Sequence, residues 1–145
     1  MTYLALSVPR GHDPFPREVL RHPSIRHYFD GFGRDAGDRG KVALDAQGQR
    51  VGACWGRIFD PDDPGYGWVG PDTPELSLAV GADLRNCGLG RRLLMTVIDD
   101  YAATGVDQVC LSVDPGSPAL RLYRRVGFVE AGRCGTSLSM VRRLR

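Results

Sequence analysis

Apolar residues recur along this chain with two periods, and the switch between them marks the elements. Leu89, Leu93, Leu94, Val97, Ile98 and Tyr101 fall at three- and four-residue spacing, the pattern of a helix with one buried face. The run Arg91 to Ala103 is therefore expected to be helical, opening at about Gly90 and stopped by Gly105. Short apolar runs flank it, Glu75 to Val80 and Gln108 to Val113, and both read as strands. A strand, helix, strand unit of this length implies a parallel pair with a right-handed crossover.

The rest of the chain reads as follows. Tyr3 to Val8 alternates weakly and predicts a first strand; Arg17 to Arg21 predicts a short helix, which Pro23 must end. Ser24 is placed to cap a second helix, Ile25 to about Phe32, with Ile25, Tyr28, Phe29 and Phe32 on one face. Lys41 to Ala46 and Arg50 to Phe59 predict a hairpin around Gln47-Gly48. Asp60 to Pro74 is a long loop rich in proline and glycine that carries Tyr66 and Trp68, and loops of this length inside a domain are often functional. Ser117 is placed to cap a helix that begins at Pro118, with Ala119, Leu122, Tyr123 and Val126 as its apolar stripe and Gly127 as its end. Phe128 to Arg133 and Ser137 to Arg142 predict a closing hairpin. This order describes one α/β domain over residues 1–145 with a mixed sheet.

Composition adds exclusions. A length of 145 residues suits one core, and a net charge of +2 is too small to argue for nucleic acid or a membrane surface. Tyr3 to Val8 lacks a basic lead and a cleavage signature, which favours a strand over a signal peptide. Cys54, Cys87, Cys110 and Cys134 are widely spaced, and neither they nor His12, His22 and His27 show a metal-ligand spacing. The expectation is reduced thiols in a cytoplasmic protein without a metal.

The chemistry concentrates between the strand at 75–80 and the long helix. Gly88 and Gly90 alternate in this turn, where a missing Cβ lets backbone amides approach a ligand. The first amides of the helix that follows have no intrahelical partner, an arrangement that favours an anion such as phosphate. Arg85, Arg91 and Arg92 crowd this end, and Asp99 and Asp100 the other, both against the helix dipole. A polyanion accounts for the arginines; the alternative is that all five are solvated surface charges. No Walker-type loop is present, and Leu93 stands where a dinucleotide fingerprint needs its third glycine.

What remains, Arg85-x-x-Gly88-x-Gly90, resembles the acetyl-CoA pyrophosphate loop of the GNAT superfamily of N-acyltransferases. Three further stretches are similar to that family in order and spacing. Pro74-Glu75-Leu76-Ser77-Leu78-Ala79-Val80 looks like its fourth strand and Leu111-Ser112-Val113 like its fifth. Ala119-x-x-Leu122-Tyr123-x-x-x-Gly127-Phe128 resembles its late helix signature. Together they cover about Glu75 to Phe128.

The resemblance implies a central mixed, mostly antiparallel sheet flanked by helices, with fourth and fifth strands that are parallel and splay apart. It implies that acetyl-CoA enters that gap as cosubstrate, its pantetheine arm pairing with the backbone of Leu78, Ala79 and Val80. The pyrophosphate would rest on Arg85, Asn86, Cys87, Gly88, Leu89, Gly90 and Arg91. Family members often carry Asn before the late helix, and Ser117 stands in that region here. Tyr123 matches the general acid that protonates the leaving thiolate, though its place in an apolar stripe also fits packing. Glu75 stands where many members keep a base acting through water, though it could equally cap the strand. The implied acceptor is a primary amine of a small molecule, peptide or protein that attacks the thioester directly. Neither nucleic acid nor membrane is implied, and a homodimer is compatible with the sequence. Cys87 as an acyl-accepting nucleophile lacks a nearby histidine. Two other readings stay open: an acyl-CoA-binding sensor or interaction module without turnover, and a small nucleotide-binding protein.

Overall fold

The computed structural model describes residues 21–145. The expected first strand at Tyr3 to Val8 lies outside the described residues, as does nearly all of the helix expected at Arg17 to Arg21. The elements that follow are α1 (Pro23–Arg26), β1 (Arg39–Leu44), β2 (Arg50–Arg57), β3 (Glu75–Val80), α2 (Leu89–Ala103), β4 (Gln108–Val113), α3 (Ala119–Arg125), β5 (Val129–Cys134) and β6 (Ser137–Arg143). A short 3-10 turn, Ala82–Leu84, leads from β3 towards α2.

The strands form one sheet in the order β1-β2-β3-β4-β6-β5. Every neighbouring pair is antiparallel except β3 and β4, which run parallel as the crossover requires. These two pair only where Glu75 stands opposite Cys110, locked by a 2.9 Å bond from the Cys110 amide to the Pro74 carbonyl. Beyond that rung the strands part.

α2 packs its stripe on the sheet. Leu93, Leu94, Val97, Ile98 and Tyr101 are buried against Leu76, Val109, Leu111 and Met140, each side chain contributing about 1.5–3 kcal/mol. At its C-terminal end Asp100 meets Lys41 of β1 at 3.3 Å, a partner that explains a charge set against the helix dipole. The opposite face of β2 and β3 carries a smaller cluster, Ala53, Trp55 and Ala79.

The second expected helix is shorter than its periodicity predicts. α1 spans four residues, with His22 rather than Ser24 as its cap, and residues 27–33 continue as turns. The cause is competition for carbonyls. Trp55 Nε1 donates to the Tyr28 carbonyl at 2.9 Å, and Arg57 Nη1 donates to those of His27 and Asp30. The same guanidinium grips the buried Asp38 carboxylate at 3.0 and 3.2 Å, so β2 side chains shape this segment. Strand boundaries also move: the first hairpin pairs Arg39–Leu44 with Arg50–Arg57, leaving Ala46 and Phe59 outside.

Candidate active site

A half-open cleft lies where β3 and β4 diverge. Its walls include Leu76, Ser77 and Leu78 of β3, Ser112 of β4 and Trp55 of β2. Ile25 and Tyr28 come from the N-terminal segment, Tyr66 from the long loop and Tyr123 from α3, and Glu75 sits at the fork.

Glu75 is 2% exposed, and its carboxylate has a partner at each oxygen. Oε1 accepts the Gly67 amide at 3.0 Å, and Oε2 accepts a short hydrogen bond from the Tyr28 hydroxyl. Burial pushes this carboxyl up from 4.5 to about 7, although both hydrogen bonds pull it down. Burial and then the Glu75 charge push the Tyr28 phenol above its ordinary range, and the Cys110 thiol likewise. The Tyr28 oxygen in turn accepts the Tyr66 amide at 2.7 Å. Its ring stacks on Tyr66 and meets Phe59 edge-on.

The loop from Asp60 to Pro74 closes over this carboxylate because glycine lets it. A Cβ on Gly67 would lie 2.4 Å from the Leu111 carbonyl carbon, and one on Gly65 would lie 2.3 Å from Glu75 Oε1. The loop is also tied to β6, where Ser139 Oγ donates to the Tyr66 carbonyl at 3.3 Å.

Tyr123 is 7% exposed, packs edge-on against Phe128, and still lines the cleft. Burial raises its phenol, so it holds its proton at neutral pH. Ser117 Oγ accepts the Ala119 amide at 3.2 Å, which satisfies one free donor at the entry to α3.

At the other end of the cleft wall, α2 opens at Leu89, one residue before the expected start. Asn86 and Gly88 both adopt left-handed backbone, at φ 62° and 86°. Asn tolerates that region and glycine takes it without strain. No side chain caps α2, and a Cβ at Gly88 would meet nothing within 4 Å, so the space above these amides is open. Gly90 differs: a Cβ there would meet the side chains of Leu122, Leu78 and Val80 at 3.4–3.6 Å. Arg85, Arg91 and Arg92 are exposed around the opening. Cys87 is also exposed, with its thiol donating to the Leu84 carbonyl at 2.7 Å. Leu78, Ala79 and Val80 pair with Cys54, Ala53 and Gly52 on one side only, so their other edge faces the gap.

Glu75 and Tyr123 thus share one cleft, while Arg85 to Arg91 and Ser117 lie at the ends of the elements that frame it. Tyr28, Trp55, Ser77 and Ser112 complete the lining and are not evident as site residues in the sequence, whereas Tyr66 comes from the long loop whose length and aromatic residues marked it as a functional segment. Tyr28 was legible only as one residue of an apolar face, because its partner is 47 positions away. Among the described residues there is no group of His, Cys, Asp and Glu that could hold a metal, and no helix long and apolar enough to cross a membrane.

A six-stranded mixed sheet forked at a parallel pair, with a glycine turn feeding an uncapped helix, is the architecture to be compared with known proteins. The sequence model of the Acetyltransferase (GNAT) family matches residues 7–128, and the chain belongs to that family. Mycothiol acetyltransferase of Clavibacter michiganensis subsp. michiganensis is 35% identical over 91 residues, 62% of this chain and 26% of that protein. The chain therefore spans about a quarter of that curated relative. A GNAT-family acetyltransferase from Staphylococcus aureus Mu50 superposes with a TM-score of 0.69 at 18% identity, over 90% of this chain and 81% of that one. PaiA N-acetyltransferase from Thermoplasma acidophilum, solved with coenzyme A, has a TM-score of 0.61 at 17% identity, over 74% and 61% of the two chains. Both structural likenesses concern the fold.

Proposed function

We propose that the protein transfers the acetyl group of acetyl-CoA to a primary amine by direct attack of the amine on the thioester. The observation that carries this reading is the pairing of a near-neutral carboxyl with a protonated phenol in one cleft, at the fork of β3 and β4. The open edge of Leu78, Ala79 and Val80 suits an extended amide-bearing arm, and the amides at Gly88, Leu89 and Gly90 suit its pyrophosphate. Arg85 and Arg91 add positive charge there, with Asn86 and Cys87 shaping the turn. Ser117 is the polar residue at the entry to α3.

The chemistry needs one proton removed and one supplied. As the amine nitrogen bonds to the carbonyl carbon and the carbon–sulfur bond breaks, the nitrogen loses a proton and the sulfur gains one. Glu75, with a carboxyl near 7, takes the first through water; ordinary carboxylates near 4.3 are weak bases for this. Tyr123 supplies the second. The alternative of an acyl-CoA-binding module without turnover leaves this acid and base without a task.

The acceptor is a small-molecule or peptide amine. The relative named above is a mycothiol acetyltransferase, and spermidine/spermine N-acetyltransferase SpeG of Vibrio cholerae shares the fold at a TM-score of 0.58 and 20% identity. Release of thiol from acetyl-CoA is to be followed across a panel of 2-phenylethylamine, spermidine, lysine and a dipeptide. Binding of acetyl-CoA without thiol release on any amine would favour the sensor reading. A larger thermal shift with ATP than with acetyl-CoA would favour a nucleotide site.

A further inference from the structure

Resting on the reading of Glu75 as the base, we propose that Tyr28 is its positioning residue: the hydroxyl favours the ionised form of the Glu75 carboxylate and fixes it in one rotamer. The geometry leaves the Tyr28 proton one destination. Its oxygen accepts the Tyr66 amide at 2.7 Å, so the single hydroxyl hydrogen is free to point to Glu75 Oε2. The Gly67 amide fixes the other oxygen. Two donors on a buried carboxylate favour its charged form, and the ring of Tyr28 is itself held by Phe59 and Tyr66.

The other groups around Glu75 are committed elsewhere or neutral. Arg57 stands opposite it on β2, but its guanidinium is spent on Asp38, Asp35 and two carbonyls. Cys110 stands opposite on β4 as a buried thiol held protonated. His27 lies against Tyr28 and Phe59, with Nδ1 3.1 Å from Asp63, and Tyr66 hydrogen-bonds through its hydroxyl to Ser24. Tyr123 shares the cleft as a protonated phenol. Burial disfavours the charge on Glu75, and among the described residues Tyr28 is the side chain whose donor opposes that burial. This is also why the segment at 21–33 is bound so firmly to β2: its task is to deliver one hydroxyl to the fork of the sheet.

The test exploits a sparse label, since glutamate occurs only as Glu18, Glu75 and Glu130. Carbon-13 in the glutamate carboxyls allows Glu75 to be titrated directly by NMR, with its signal assigned from Glu75→Gln. Tyr28→Phe keeps the ring and removes the donor. The Glu75 titration should rise by roughly one to two pH units, as expected for loss of one hydrogen bond to a charged group. The acid limb of turnover, measured on the fastest amine of the panel, should rise with it, and activity should return at alkaline pH. In the opposite direction, 3-fluorotyrosine at position 28 is a stronger donor in the same shape and should lower both. A purely structural Tyr28 would change turnover by the same factor at every pH. A Glu75 signal that titrates unchanged in both variants overturns the proposal. If Glu75→Gln keeps the wild-type acid limb, the base reading falls, and with it the part of Tyr28 in turnover.

Discussion

Replacing Glu75 by Gln should abolish a pH dependence of stability that can be worked out from the structure. Burial raises the carboxyl from its ordinary 4.5 to about 7 in the folded chain. Between those values the native state holds a proton that the unfolded chain has lost. Stability is then fully present below about 4.5 and falls as pH rises through about 7. The interval is about 2.5 pH units, which at about 1.36 kcal/mol each comes to about 3 kcal/mol. Gln has the shape and cannot ionise. It loses or misdirects one of the bonds to Gly67 and Tyr28, but that cost is the same at every pH. Urea unfolding of both proteins from pH 4.5 to 8 should therefore show wild type losing about 3 kcal/mol relative to Glu75→Gln, with the slope confined to the acid and neutral range. A difference that stays constant over that range would refute the claim that Glu75 titrates near neutrality. The assay needs no acceptor amine, so it tests the titration of Glu75 independently of any substrate.

Three further outcomes are expected. Gly67→Ala should destabilise the fold by about 1–3 kcal/mol by driving the loop off the Leu111 backbone, whereas Gly70→Ala, with nothing within 4 Å, should leave the melting temperature unchanged. Arg85→Ala should weaken acetyl-CoA binding in calorimetry more at low than at high ionic strength; a salt-independent loss would remove Arg85 from the anion site. Tyr123→Phe should lower turnover by roughly 10²-fold with little change in melting temperature, and near-normal turnover would assign Tyr123 to packing alone.

The parts of this fold that were legible in the sequence are those encoded within a few residues. The stripe from Leu93 to Tyr101 fixes which face of α2 is buried, because helix periodicity is local. The strand at Gln108–Val113 ends where its apolar run ends, at the Asp114-Pro115-Gly116 turn. Glu75 and Tyr123 could be named through a family resemblance, but whether they share a cleft could not be read from spacing. Tyr28 was illegible for the same reason that it matters: its partners, Glu75, Tyr66 and Trp55, are brought to it by the sheet. The helix expected over Ile25 to Phe32 shortens because Arg57 and Trp55 take its carbonyls, a competition no propensity anticipates. Likewise Asp100, unfavourable by helix dipole alone, is answered by Lys41 from a strand fifty-odd positions earlier.

The single rung between Glu75 and Cys110 has a topological cost that the cleft keeps hidden. An open sheet has two margins; one that parts along its middle gains a second pair, here the inner flanks of β3 and β4. Margins with unpaired amides invite other chains to add themselves as strands. Outer margins can be protected by charge or brevity; under the proposed function the inner ones stay bare to receive a ligand. Tyr66 and Tyr123 line the cleft beside them. Under the proposed function, a slender amide-bearing arm would occupy those inner flanks as an added strand would, and so close the margins that the fork opens.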